Sequence, residues 1–165
     1  LWGWSHVAVM LRDGDGHRIH HNYIHHNQRQ GLGYGVSHGS AFSVIEYNLF
    51  NYNRHSIAGT GAHPSGYVAR HNVELGESLS HAFDMHGGRD RRDGSNVAGT
   101  RITIANNTFF TPARAIGIRG VPAEYARVTR NWFYHDELGR ELIIDWPLPE
   151  MVKVWDNQFG ARPAE

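Results

Sequence analysis

The chain has 165 residues, with Lys+Arg 16 against Asp+Glu 16, 13 His, 19 Gly and no Cys. The balanced charge argues against a phosphate-coating surface and so against nucleic acid, and the lack of cysteine excludes disulfides, thiolate catalysis and Cys-based zinc sites. No stretch approaches the roughly 20 apolar residues of a membrane span, which leaves a single soluble domain, residues 1–165, whose main titratable chemistry near neutral pH is imidazole.

At the N-terminus, "LWGWSHVAVML" lacks the basic start and small-residue cleavage site of a signal peptide. The following "RDGDG" (12–16) reads as a plain turn, because the distal Glu of a calcium-loop pattern is missing. "HRIHHNYIHH" (17–26) has the composition of a metal tract, but alternation points its imidazoles in opposing directions, so it is read as ring stacking at turns. Trp2, Trp4, Trp146 and Trp155 are either sugar platforms or packing at the ends of the fold.

From there an Asn closes a short alternating run six times, at Asn22, Asn48, Asn72, Asn107, Asn131 and Asn157, in steps of 26, 24, 35, 24 and 26 residues. Three residues before each sits Ile19, Ile45, Ala69, Ile104, Val128 or Val154. Two residues after comes Ile24, Phe50, Phe109, Phe133 or Phe159, with Glu74 and then Leu75 at the third repeat. Period-two alternation is a strand signal, and no amphipathic helix is legible anywhere. Each repeat is therefore one coil of strands and turns that buries its apolar column against the next coil, with the asparagines stacked in a hydrogen-bonded ladder at one turn.

A second phrase recurs between the asparagines. Aligned without gaps it starts at Gln30, His55, His81, Arg114 and Arg140. Its second and fourth positions face inward: Leu32, Ile57, Phe83, Ile116 and Leu142, then Tyr34, Gly59, Met85, Ile118 and Ile144. The third and fifth face outward: Gly33, Ala58, Asp84, Gly117 and Ile143, then Gly35, Thr60, His86, Arg119 and Asp145.

These repeats resemble those of the right-handed parallel β-helix proteins of the pectate-lyase-like superfamily, over about residues 5–160. The resemblance implies an all-β, right-handed parallel β-helix, here of about six coils. It also implies a secreted or cell-surface location and a polysaccharide substrate, since the superfamily contains many polysaccharide lyases.

The candidate site follows from the register. His55, His81, Asp84 and His86 share one outer patch with Arg114 and Arg119, and Ala58 and Gly117 on either side of Asp84 are expected to leave a groove. The long third step carries the charged insertion 87–99, "GGRDRRDGSNVAG", which is expected to stand beside that groove and to bring Arg89, Arg91 and Arg92. His55, His81, Asp84 and His86 are the candidate catalytic residues, and Arg54, Arg89, Arg114 and Arg119 the candidate substrate-binding ones.

Three functions fit. The first is eliminative cleavage of an acidic, uronate-containing polysaccharide, in which arginine neutralises the sugar carboxylate and histidine moves protons. The superfamily's commoner pattern, an Arg or Lys base with calcium on an acidic cluster, is not matched, because only Asp84 is central. The second is a metal-dependent enzyme on a glycan, with a divalent ion (Zn, Ca or Cu) held by His55, His81, Asp84 and His86. The third is a carbohydrate-binding or structural segment without catalysis. Glycoside hydrolysis fits less well, because Asp84 and Asp145 are two coils apart. Neither end shows a polar cap, so an oligomer or a further solenoid segment is expected there.

Overall fold

The computed structural model describes residues 1–112, 114–134 and 148–160. Among the described residues fifteen strands form a parallel β-solenoid, and all their pairings are parallel. The first sheet stacks β2 (Tyr23–His25), β4 (Leu49–Asn51), β7 (Val73–Glu74), β10 (Thr108–Phe109), β13 (Trp132–Tyr134) and β15 (Gln158–Gly160). The second starts from two long strands, β1 (Val7–His20) and β3 (Tyr34–Glu46), and then divides. The first half of β3 pairs with β5 (His55–Gly59), which leads to β8 (Phe83–Met85) and β11 (Ile116–Ile118). Its second half pairs with β6 (Gly66–Arg70), which leads to β9 (Arg101–Ala105), β12 (Tyr125–Thr129) and β14 (Val152–Trp155). Each coil therefore shows three faces: the β5–β8–β11 face, the β6–β9–β12–β14 face and the first sheet. The only helix among the described residues is the single turn α1 (Gly88–Arg91).

The asparagine column forms the corner between the second and third of these faces. Each Asn side chain bonds to the next, from Asn22 to Asn48 (3.0 Å), Asn72 (3.1 Å), Asn107 (3.0 Å), Asn131 (3.0 Å) and Asn157 (3.0 Å). The same Oδ1 atoms also accept the backbone N–H of the Asn one coil earlier. The residue before each, His21, Tyr47, His71, Asn106, Arg130 or Asp156, has φ between 51° and 56°. Left-handed backbone at a residue other than glycine costs on the order of 1 kcal/mol, and the amide ladder offsets that cost at every corner. Six corners delimit five intervals, which is why the solenoid has about five turns rather than the six coils expected from counting asparagines.

The flanking columns keep the register read from the sequence. Ile19, Ile45, Ala69, Ile104, Val128 and Val154 pair in one row, as do Ile24, Phe50, Glu74, Phe109, Phe133 and Phe159. Phe109 and Phe133 stack with centroids 4.9 Å apart, and Phe133 continues onto Phe159 at 5.6 Å. Each buried ring contributes about 1.5–3 kcal/mol by leaving water.

Glu74 interrupts this column as a fully buried carboxyl, and neither of its oxygens has a hydrogen-bond partner. Burial pushes its pKa up to about 8, so Glu74 is a neutral acid in the core at pH 7.

The histidine tract behaves as stacking at turns. His21 lies on Tyr47 (5.3 Å) and Tyr47 on His71 (5.0 Å), while His26 lies on Tyr52 (4.5 Å). One expected register is corrected. β5 pairs with Tyr34–His38, so His55 opposes Tyr34 and Ile57 opposes Val36, four residues beyond the Gln30 start. Val36 is therefore the buried core residue of that row, whereas Leu32 is only half-buried. The positions aligned from Arg140 onward, Leu142, Ile143, Ile144 and Asp145, and also Trp146, lie outside the described residues.

Candidate functional site

Strands β5, β8 and β11 hold the site in the register that the sequence implied, with Ala58, Asp84 and Gly117 side by side. At the start of these strands a second row runs Tyr34, His55, His81. Its rings are nearly parallel, with centroids 5.5 Å apart for Tyr34 and His55 and 6.0 Å for His55 and His81. Arg114 extends the row, NH1 donating to His81 Nε2 at 3.3 Å.

Asp84 is the centre. Its carboxylate is fully buried and is gripped by Arg119, Nε to Oδ1 at 3.1 Å and NH2 to Oδ2 at 2.7 Å. His86 Nε2 lies 3.1 Å and His55 Nε2 3.5 Å from Oδ2, and His81 Nδ1 lies 3.7 Å from Oδ1. Burial alone would raise the Asp84 pKa, but the hydrogen bond from His86 and the charge of Arg119 outweigh it and hold the group down at about 2. Asp84 is therefore ionised at neutral pH.

The expected groove is closed over this carboxylate. Gly117 does supply the space, since a Cβ there would lie 2.8 Å from His81 Cγ and 2.9 Å from Asp84 Oδ1. The imidazole of His81 fills the gap, so the small neighbour admits a ring of the protein itself. At the solvent edge are the side chains of His81 (16% exposed), His86 (27%) and Arg119 (27%), while that of His55 is 1% exposed.

His55 has an incomplete set of partners. Its Nδ1 lies 2.6 Å from the His81 carbonyl oxygen, which can only accept, so Nδ1 carries the proton. Burial pushes the imidazole down to about 4, against the opposing pull of Asp84 and of that carbonyl, so the ring is neutral at pH 7. Nε2 is then a bare lone pair, buried, without a hydrogen-bond partner, and aimed at a carboxylate oxygen that is also an acceptor. Two acceptors facing each other in a dry site repel unless a cation or a proton lies between them.

The insertion 87–99 reaches the site, and it does so through an acid. Arg119 NH1 donates to Asp90 of α1 at 3.1 Å, so each nitrogen of that guanidinium bonds to Asp84 or Asp90. Arg91 ties the insertion to its own base and to the loop after β5, donating to the carbonyls of Thr60 (2.8 Å) and Val97 (3.0 Å). Gly87 permits this closeness, because a Cβ there would sit 1.7 Å from the Arg119 carbonyl oxygen. Arg89 and Arg92 are exposed. Arg54 stays one row away, donating to the Tyr34 hydroxyl at 3.0 Å.

Sequence reasoning thus brought His55, His81, Asp84, His86, Arg114 and Arg119 to one place. It missed Tyr34, through the four-residue register error, and Asp90, which was hidden among the arginines of its loop. His55, Asp84 and His86 can each offer one ligand atom within 4.8 Å of the others. No known family model, curated protein or solved structure matches the chain.

Proposed function

We propose that this face binds an acidic, uronate-containing polysaccharide and cleaves it by β-elimination. One observation carries the reading: two partly exposed imidazoles stand at the edge of a fully buried, ionised carboxylate, and the Arg114 guanidinium contacts one of them, His81. Ordered proton-transfer groups beside a cation are what elimination next to a carboxylate requires. Arg114 receives the sugar carboxylate, as the cation in direct contact with His81. His81 Nε2, which accepts from Arg114 in the free protein, removes the C5 proton once that guanidinium turns to the sugar carboxylate. The electron pair closes a C4=C5 double bond, the C4–O4 bond breaks, and the departing oxygen takes the proton back from His81. His55 is too buried to touch a sugar and acts on the ring beside it, in stacking contact with His81. A polymer substrate of this kind places the protein outside the cytoplasm.

The test is digestion of galacturonate, mannuronate–guluronate and glucuronate polymers, followed by the ultraviolet absorbance of an unsaturated uronate. The wild type raises that absorbance on at least one polymer, and His81→Ala and Arg114→Ala each slow it on the order of 10²-fold. No absorbance on any of the three, or an unchanged rate in His81→Ala, contradicts the reading.

A further inference from the structure

The same cluster contains a geometry that proton transfer alone does not use. Zinc with nitrogen ligands at about 2.0–2.1 Å and oxygen at about 2.0–2.2 Å holds neighbouring ligand atoms about 3.4 Å apart when tetrahedral. His55 Nε2 lies 3.5 Å and His86 Nε2 3.1 Å from Asp84 Oδ2, and all three atoms fall within 4.8 Å of one another. The orphaned Nε2 of His55 is independent support, since a buried bare lone pair aimed at a carboxylate oxygen is completed by a cation between them.

The surroundings have the form of an outer shell. The His81 carbonyl fixes the His55 tautomer so that Nε2 is the coordinating nitrogen, and Arg119 orients the Asp84 carboxylate through both oxygens. Two imidazoles and one carboxylate suit zinc or copper. Calcium seeks six to eight oxygens, which this cluster does not offer.

We infer that His55 Nε2, Asp84 Oδ2 and His86 Nε2 bind one divalent transition-metal ion of the zinc class, with its remaining coordination positions toward the solvent edge where His86 is exposed. The ion's task rests on the elimination reading: it would share with Arg114 the neutralisation of the sugar carboxylate. Its binding does not depend on that reading.

The experiment is calorimetric titration of the metal-free full chain with Zn²⁺, repeated with Co²⁺ while following visible absorbance. The wild type binds one ion per chain at this site, with the intense visible bands of four-coordinate Co²⁺. His86→Ala and Asp84→Asn each weaken binding more than about 100-fold, beyond the 10–100-fold typical of losing an outer-shell partner. His20→Ala/His25→Ala, which breaks up the exposed imidazole pairs, leaves this binding unchanged. If Asp84→Asn fails to fold, His86→Ala decides, because His86 lies at the edge. Wild-type affinity in His86→Ala, or loss of the tight site in the His20/His25 variant instead, overturns the inference. One tight ion per chain without activity on any uronate polymer keeps the metal site and removes the elimination reading. Uronate cleavage that survives chelation, with no Zn²⁺ binding, does the reverse.

Discussion

Along the asparagine column six successive corners carry the same residue, and each internal amide is paired above and below. Asn72, for example, donates to Asn107 Oδ1 and the Ile45 carbonyl while accepting from Asn48. Along the β5–β8–β11 face the equivalent positions hold Tyr34, His55, His81 and Arg114 in turn, and the buried Nε2 of His55 has no hydrogen-bond partner. Both regions ride on the same coils and obey the same strand register. A repeated polar letter with complete hydrogen bonding is what the solenoid needs to stand. Changing polar letters that leave a buried group incomplete are not explained by folding, because an unpaired buried acceptor lowers stability.

Removing a rung breaks the first region. Asn72→Ala leaves the backbone N–H of Asn48 without its acceptor and removes the rung hydrogen bonds to Asn48 and Asn107; one buried orphan at about 1–3 kcal/mol and two lost bonds at about 0.5–1.5 kcal/mol each predict a loss of about 4 kcal/mol in denaturant unfolding. Asn22→Ala, at the exposed end of the ladder, should cost far less, and equal losses at the two positions would contradict the ladder as a buried network.

The core column allows a test with the opposite sign. Folded Glu74 keeps its proton to about pH 8, whereas the unfolded side chain loses it near 4.5. The folded state therefore holds the extra proton between these values, and stability falls as pH rises through that window. Between pH 8 and 6.5 the wild type should gain about 2 kcal/mol, a gain that Glu74→Gln abolishes. Below that range the slope reverses. His38 and His55, both pushed down to about 4 by burial, must take up protons on unfolding, so stability is lost as pH falls from 6.5 toward 4. Chemical denaturation across pH 4–8 should thus give a maximum near pH 6.5 in the wild type and a plateau above it in Glu74→Gln.

On the second region, Gly117→Ala inserts a methyl group 2.8 Å from His81 Cγ and 2.9 Å from Asp84 Oδ1. Overpacking of this kind costs about 1–3 kcal/mol, less than the broken ladder, yet it should displace the His81 ring and reduce uronate cleavage and Zn²⁺ affinity together. Unchanged values of both would mean that the ring's seat is not part of the site. The smallest effect is expected for Arg89→Ala, at an exposed position on α1: the unfolding midpoint stays put, and a few-fold rise in KM at constant kcat reports lost substrate binding.

The sequence made these regions legible to different degrees. The ladder and its flanking columns were plain because the same residue type returns at a nearly constant step. The strands carrying His55, Asp84 and Gly117 were also placed in register, since no gap intervenes between them. Tyr34 was misplaced because "GLGYG" imitates the core phrase four residues before the true strand register with β5. Glu74 could be seen to break the column, but its buried neutral state depends on what surrounds it in the folded coil. The closure of the site over Asp84 was hidden for a related reason. Strand periodicity says that Gly117 leaves space, whereas the direction of the His81 side chain decides what fills it. The role of Asp90 depended on the path of the insertion, which places an acid against Arg119.

The most direct test of the claim that this face carries an incomplete buried group is ring ¹⁵N spectroscopy of the histidines in the metal-free chain at pH 7. The account predicts that His55 is a neutral ring protonated on Nδ1 with a bare Nε2, and that this Nε2 resonance alone among the two shifts strongly on addition of Zn²⁺. A His55 ring protonated on both nitrogens at pH 7 would make the contact with Asp84 an ordinary ion pair and contradict it.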